Sequence, residues 1–171
     1  MGTNAHNEAK KRMKANQIFA AMELDHAIAL FREVQKASPA TFQQATAAAC
    51  GALKIRPIFM QKQPFEKRAS SVRRALSLVA AEPIAEEMLA TYFIKCRSEL
   101  LVDWLDTTKI EHDEGTLTQD QPPEPAADDL IAAVDGFMGK DDDRDRPLLL
   151  RAFAAQSVVD WPRLDSILEE L

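Results

Sequence analysis

Apolar residues recur at steps of three and four positions along most of this 171-residue chain, and that spacing constrains the fold more than any other feature. Steps of three and four place side chains on one face of an α-helix. The clearest such face comprises Phe65, Ala69, Val72, Leu76 and Val79. No segment of four or more residues alternates convincingly between apolar and polar side chains, as a half-buried β-strand would. We therefore predict an all-α protein.

Prolines and capping residues divide the chain into about seven predicted helices. The helix predicted over residues 84–106 is apolar around most of its circumference, and such a helix usually lies at the centre of a core. We expect a single-domain helical bundle around it, with the main core over residues 1–110. An acidic, proline-rich connector, 111–127, leads to a C-terminal helical section, 128–171, which is amphipathic and expected to pack back on the core.

Charged residues are sorted along the sequence. Residues 1–74 contain thirteen Lys or Arg and five Asp or Glu, whereas residues 75–171 contain eight and twenty-two. The net charges are therefore +8 and −14, within a chain of net charge −6. Such asymmetry indicates either a charged partner or pairing between the two parts of the chain. Because exposed ion pairs contribute at most about 1 kcal/mol each, the sequence alone leaves both alternatives open.

A basic segment between residues 54 and 74 is the strongest candidate for a binding surface. Its only acidic residue is Glu66, and its cations are Lys54, Arg56, Lys62, Lys67, Arg68, Arg73 and Arg74. Cations at helical spacing can follow the phosphates of a nucleic acid or contact an acidic protein. Phe59 and Phe65 lie among them and suit a core position as well as they suit base stacking. A second basic cluster contains Lys10, Lys11, Arg12 and Lys14.

The dipeptide His112-Asp113 is a candidate for metal chemistry, because it resembles the His-Asp pair of all-helical metal-dependent phosphohydrolases. Such a site needs further ligands from neighbouring helices, since one imidazole and one carboxylate leave a metal under-coordinated. The other histidines, His6 and His26, form no local ligand pair. The favoured interpretation of the dipeptide is a polar loop that closes the preceding helix.

The acidic segment 141–145 places carboxylates at positions 1, 3 and 5 of a possible calcium-binding loop. A calcium loop also needs glycine at position 6 and a bidentate glutamate at position 12, and this sequence has Arg146 and Ala152 there. We interpret the segment as a solvated loop that caps the following helix.

The chain has no Gly-x-Ser-x-Gly motif, no glycine-rich phosphate loop and no Cys-x-x-Cys motif. We therefore expect no catalytic residue and no cofactor, and the favoured function is a non-catalytic interaction or regulatory protein with a protein partner. The alternatives are a nucleic-acid-binding protein that uses the basic segment, and a metal-dependent hydrolase around His112-Asp113. The first residues lack a secretory-signal pattern, and no window approaches 18 consecutive apolar residues. We expect a cytoplasmic protein with no membrane contact. The sequence does not determine the oligomeric state.

Overall fold

The computed structural model describes residues 12–171, so Lys10 and Lys11 of the second basic cluster, and His6, lie outside the described residues. Ten α-helices and one short β-hairpin form the fold of the described part of the chain, which confirms the all-α prediction. The residues separate into two compact units. The N-terminal unit is Lys14–Cys96, and the C-terminal unit is Arg97–Leu171 together with Arg12 and Met13.

The N-terminal unit contains six α-helices. They are α1 (Ala15–Ala21), α2 (Leu24–Ala37), α3 (Pro39–Leu53), α4 (Pro57–Lys62), α5 (Phe65–Leu76) and α6 (Glu82–Thr91). A 3₁₀ turn, Val79–Ala81, precedes α6, and a π-helical segment, Tyr92–Cys96, follows it. The helices α3, α4 and α6 each have a proline in the first turn, where the missing N–H leaves no hydrogen bond unmade.

A row of phenylalanine rings forms part of the core of this unit. The ring centroids of Phe19, Phe31, Phe42 and Phe65 follow one another at 5.7, 6.0 and 5.6 Å. Aromatic pairs at such distances contribute about 0.5–1.5 kcal/mol beyond the area that they bury. The first three rings are almost fully buried, whereas Phe65 is half-buried at the end of the row. The row therefore links α1, α2 and α3 to the start of α5.

The C-terminal unit contains four α-helices and the hairpin. They are α7 (Ser98–Thr107), β1 (His112–Asp113), β2 (Thr116–Leu117), α8 (Ala127–Met138), α9 (Asp145–Ala155) and α10 (Pro162–Glu169). Its core is a second aromatic row, in which Trp104, Phe137, Phe153 and Trp161 meet edge to face at 5.0–5.9 Å. No helix in residues 12–171 is both long enough and apolar enough to cross a membrane.

The proline-rich connector packs against this second core. The indole N–H of Trp161 donates to the carbonyl of Pro122 at 2.9 Å. The carboxylate of Glu124 accepts the backbone N–H groups of Arg163 and Leu164 at the start of α10. The connector thus belongs to the C-terminal unit and is held by specific hydrogen bonds.

The segment predicted as one helix over residues 84–106 is helical but interrupted. Helix α6 ends at Thr91, the π-helical segment ends at Cys96, and Arg97 leaves the helical conformation with φ −134° and ψ 44°. The guanidinium of Arg97 donates to the carboxylates of Asp143 and Asp145. These contacts join the side chain of Arg97 to the segment before α9, and the boundary between the two units falls at Arg97.

The predicted polar turn over residues 111–115 is a β-hairpin. His112 pairs with Leu117, and Asp113 pairs with Thr116. The two turn residues, Glu114 and Gly115, both have positive φ angles, 49° and 95°. Positive φ at both central residues defines the type I′ turn, which matches the twist of the flanking strands.

Candidate docking surface

The structure separates the seven cations of the predicted basic segment into two groups. Arg73 donates to the carbonyls of Met22 and Ala20, and so it caps the C-terminal end of α1. The guanidinium of Arg68 lies 5.5 Å from the ring centroid of Phe65. The remaining five form no ion pair with the described residues and are exposed: Lys54, Arg56, Lys62, Lys67 and Arg74.

Helix α4 presents two large apolar side chains to solvent. Ile58 and Phe59 are 67% and 61% exposed, whereas Met60 is fully buried. Successive residues of an α-helix are rotated by about 100°, so a helix that buries Met60 turns its two predecessors away from the core. The helix has only six residues, and Met60 is its one buried residue. Phe59 is therefore a surface residue, although the sequence also suited it to the core.

Three exposed cations lie close to this apolar pair along the chain. Lys62 lies four residues after Ile58 and three after Phe59, which places all three side chains on one helix face. Arg56 is the N-cap residue of α4, and Lys54 ends α3 in the left-handed conformation with φ 54°. Together, Lys54, Arg56, Ile58, Phe59 and Lys62 form what we call the α4 surface. No acidic residue occurs between positions 54 and 65.

The outward face of α5 extends the positive charge beyond the α4 surface. Lys67 and Arg74 are both exposed and lie seven residues apart, on the same face of the helix. Their backbone positions are separated by about 10 Å along the helix axis. The one acidic residue of this helix, Glu66, lies 3.5 Å from Arg32 and so does not neutralise the two cations.

Two buried polar atoms at the junction between α4 and α5 have no hydrogen-bond partner among the described residues. They are Oε1 of Gln63 and Nε of Arg68. An unsatisfied buried polar atom costs about 1–3 kcal/mol. Asn16 Oδ1 and Trp104 Nε1 are in the same condition elsewhere in the described residues, and a few such atoms are usual in native proteins. The two atoms at the junction therefore do not by themselves mark a site.

Several acidic residues of the C-terminal unit have counter-ions in the same unit. Arg97 donates to Asp143 at 2.6 Å, and Arg146 donates to Asp141 at 2.8 and 3.1 Å. Asp103 receives hydrogen bonds from Lys140 and from Arg146. The carboxylates of Asp141, Asp143 and Asp145 thus bind guanidinium groups, and Asp143 accepts the backbone N–H of Asp145 at the start of α9.

These contacts shift the acidic pKa values. Hydrogen bonds from Arg97 hold the pKa of Asp143 below its ordinary value. Partial burial acts to raise the pKa of Asp103, but hydrogen bonds from Lys140 and Arg146 outweigh it, and the pKa is lowered. The unit stays strongly acidic even so, with eight Lys or Arg and nineteen Asp or Glu, whereas the N-terminal unit has eleven and seven.

His112 is part of the hairpin rather than of a ligand cluster. Its Nδ1 accepts the backbone N–H of Gly115 at 3.1 Å, so the ring proton is on Nε2, which donates to Asp106 at 2.7 Å. Both ring nitrogens are therefore occupied, and Asp113 is exposed. No group of three or more His, Cys, Asp or Glu side chains within residues 12–171 is placed to hold a metal ion.

Replacing His112 by alanine is expected to lower the free energy of unfolding by about 1–2 kcal/mol, because the hairpin loses two hydrogen bonds. The change should appear as a lower urea midpoint with an unchanged slope. Asp113→Ala is the matched control, since Asp113 is exposed, and it should change stability by less than about 0.5 kcal/mol. Elemental analysis of both variants tests the metal hypothesis directly. A transition metal bound by the parent protein and lost in His112→Ala would contradict the structural role.

Comparisons of the chain with protein-family models, with curated proteins and with solved structures found no match. Support for the candidate site therefore comes from its own geometry. The sequence identified the cations of the α4 surface and left Phe59 open between base stacking and a core position, but it did not indicate the exposure of Ile58. The signal that could have found it is the short distance between Pro57 and Pro64, which leaves room for a helix with only one buried side chain.

Proposed function

We propose that this protein is a non-catalytic interaction protein whose α4 surface binds an acidic, amphipathic segment of a partner protein. The observation that carries the proposal is the exposed pair Ile58 and Phe59, flanked along the chain by exposed cations that form no ion pair among residues 12–171. The proposal includes a cytoplasmic location, where the free thiols of Cys50 and Cys96 would stay reduced.

The apolar pair supports a protein partner. Burying a large apolar side chain on binding contributes about 1.5–3 kcal/mol relative to leaving it in water. A few such residues usually carry most of the binding energy of an interface, with polar contacts around them. Ile58 and Phe59 are adjacent on one helix, so a single apolar stripe on a partner can cover both.

The surrounding cations support an acidic partner. Complementary charge at the rim of an interface accelerates association and excludes partners of the same sign. Lys54, Arg56 and Lys62 supply this charge, and Lys67 extends it along α5. The partner that fits best is therefore a helix with Asp or Glu beside an apolar stripe, which docks as amphipathic helices do on apolar surfaces.

A nucleic acid is the alternative ligand, and Phe59 is the residue that favours it, because an exposed aromatic ring beside cations can stack on a base. Two observations favour a protein instead. Ile58 has no π-face, yet it is the more exposed of the pair. Arg68 and Arg73 are occupied by contacts within the N-terminal unit, which leaves fewer cations to follow a phosphate backbone.

Fluorescence anisotropy tests the proposal with a labelled synthetic peptide that carries Asp and Glu around a helical stripe of Leu and Ile. The full chain should bind this peptide at least about tenfold more tightly than a scrambled peptide of the same composition. Phe59→Ser should weaken binding by about tenfold, because it removes an apolar anchor worth more than about 1 kcal/mol. Arg56→Glu should weaken binding most at low salt, where charges are least screened.

Val79→Ser is the matched control, because Val79 is also an exposed apolar residue of the N-terminal unit (77%) but lies in the 3₁₀ turn. It should leave peptide binding unchanged. Equal binding of the designed and scrambled peptides would contradict the proposal. A labelled single-stranded 20-mer that binds with a steep salt dependence, and more tightly than the peptide, would establish the nucleic-acid alternative instead.

A further inference from the structure

The outward face of α8 combines acidic and apolar side chains. Asp128, Ile131, Ala132 and Asp135 follow the spacing of one helix face, and all four are exposed. The side of the helix that carries Leu130, Val134 and Phe137 is buried, so the acidic face points to solvent. Ile131 is 48% exposed, and neither Asp128 nor Asp135 forms an ion pair with the described residues.

The α8 face and the α4 surface are complementary in both charge and polarity. One presents exposed Ile131 beside two carboxylates, and the other presents exposed Ile58 and Phe59 beside three cations. The α8 face therefore matches the acidic, amphipathic helix that the α4 surface is proposed to bind. We infer that α8 of a second copy of this chain docks on the α4 surface, so that the protein self-associates head to tail. This inference depends on the proposed function of the α4 surface.

The geometry of such a contact determines what it builds. The two surfaces are different, so each contact leaves one α4 surface and one α8 face available for a further copy. Contacts of this heterologous kind produce rings or open chains. One short helix against one longer helix is a small interface, and we expect a dissociation constant on the order of 100 µM that rises with salt.

Sedimentation velocity over a range of about 5–500 µM protein tests the inference. The weight-average sedimentation coefficient of the parent chain should rise with concentration at low salt and fall back at high salt. Arg56→Glu with Phe59→Ser removes the α4 surface and keeps the α8 face. Ile131→Ser with Asp135→Lys removes the α8 face and keeps the α4 surface. Each double variant should stay monomeric by itself, and all four positions are exposed, so both variants should fold normally.

The mixture of the two double variants is the decisive measurement. Each retains the surface that the other lacks, so an equimolar mixture should form a 1:1 complex and nothing larger. Val79→Ser should associate like the parent chain. Association of the parent chain without association in the mixture would overturn the assignment to α4 and α8.

A second result separates this inference from the proposed function. If the parent chain stays monomeric up to 500 µM but still binds the acidic peptide through Phe59, self-association is overturned and the docking function of the α4 surface stands. If neither self-association nor peptide binding occurs, both are overturned. If self-association occurs but Phe59→Ser has no effect on it, the contact uses another surface and the inference is wrong.

Discussion

Arg146→Ala is expected to lower the free energy of unfolding by about 2–3 kcal/mol. The guanidinium of Arg146 donates two hydrogen bonds to Asp141, one to Asp103 and one to the carbonyl of Phe137. It also lies 4.8 Å from the centroid of the Phe137 ring, and the residue is only 7% exposed. Removing one partner of a fully buried ion pair costs about 3–5 kcal/mol, and the figure here is smaller because Asp141 remains open to water.

Urea unfolding of the parent chain and two further variants completes this test. Arg146→Lys keeps the charge but cannot donate the paired hydrogen bonds to Asp141, so its loss should lie between those of the parent and Arg146→Ala. Arg74→Ala removes an exposed arginine without an ion pair among the described residues and should stay within about 0.5 kcal/mol of the parent. A loss in Arg146→Ala no larger than that in Arg74→Ala would contradict the role of Arg146.

Arg146→Ala should also change the dependence of stability on pH. The pKa of Asp103 is lowered in the folded state, so its contribution to stability is present above the unfolded pKa of about 3.9 and is lost as pH falls through the folded pKa. Arg146→Ala removes part of this shift, and the difference in stability between parent and variant should therefore shrink below about pH 4. The contribution of Asp165 to the pH dependence of stability has the opposite sign, because burial raises its pKa. Asp165 is present in both proteins, so its contribution cancels in the difference between them.

The helices of this fold could be predicted because their signals are local. Apolar spacing predicted α5 from Phe65 to Leu76, although Val79, predicted on the same face, lies beyond the end of the helix in the 3₁₀ turn. The interruption at Arg97 could not be predicted in this way, since the side chains that hold it, Asp143 and Asp145, lie 46 and 48 residues further along the chain. The periodicity of the segment is continuous across the interruption, so local pattern alone favours one helix there.

As with the fold, only part of the candidate site could be predicted from the sequence. The cations of the α4 surface stand out in the sequence, but their different roles do not. Arg73 and Arg74 are neighbours, yet Arg73 caps α1 through carbonyls about 50 residues away, whereas Arg74 is exposed. Likewise, the exposure of Phe59 depends on Met60 being the residue of α4 that reaches the core. Such differences are set by tertiary contacts, which composition and spacing do not contain.

The structure also limits how the charge asymmetry of the chain can be interpreted. The carboxylates of Asp103, Asp141 and Asp143 are bound by cations of the C-terminal unit itself. The five exposed cations of the basic segment have no ion pair among the described residues. Pairing is therefore local for these acids, and exposed positive charge remains around Ile58 and Phe59. This remaining charge, rather than the overall sorting along the sequence, is what makes the α4 surface a candidate for binding.

Trp161→Phe is expected to destabilise the protein by about 1–3 kcal/mol more than Trp104→Phe. Both indoles are fully buried in the same aromatic row, so the two substitutions remove similar volumes from similar surroundings. Their N–H groups differ. That of Trp161 donates to the carbonyl of Pro122, whereas that of Trp104 has no acceptor among the described residues. Trp161→Phe leaves a buried carbonyl without its donor, while Trp104→Phe removes an unsatisfied donor, and this asymmetry sets the expected difference.

The two variants serve as controls for each other. The chain has two tryptophans, so each substitution leaves the other tryptophan as a fluorescence reporter. Urea unfolding followed by tryptophan emission and by circular dichroism should give coincident transitions in Trp104→Phe, with emission from Trp161. In Trp161→Phe the connector loses the hydrogen bond at Pro122, and limited proteolysis should cut residues 118–126 faster than in the parent. Equal stability losses with equal cleavage rates would contradict a role for Trp161 in holding the connector. The hydrogen bond of this indole, together with those of Glu124, distinguishes the packed connector from the flexible linker that its proline-rich, acidic composition favours.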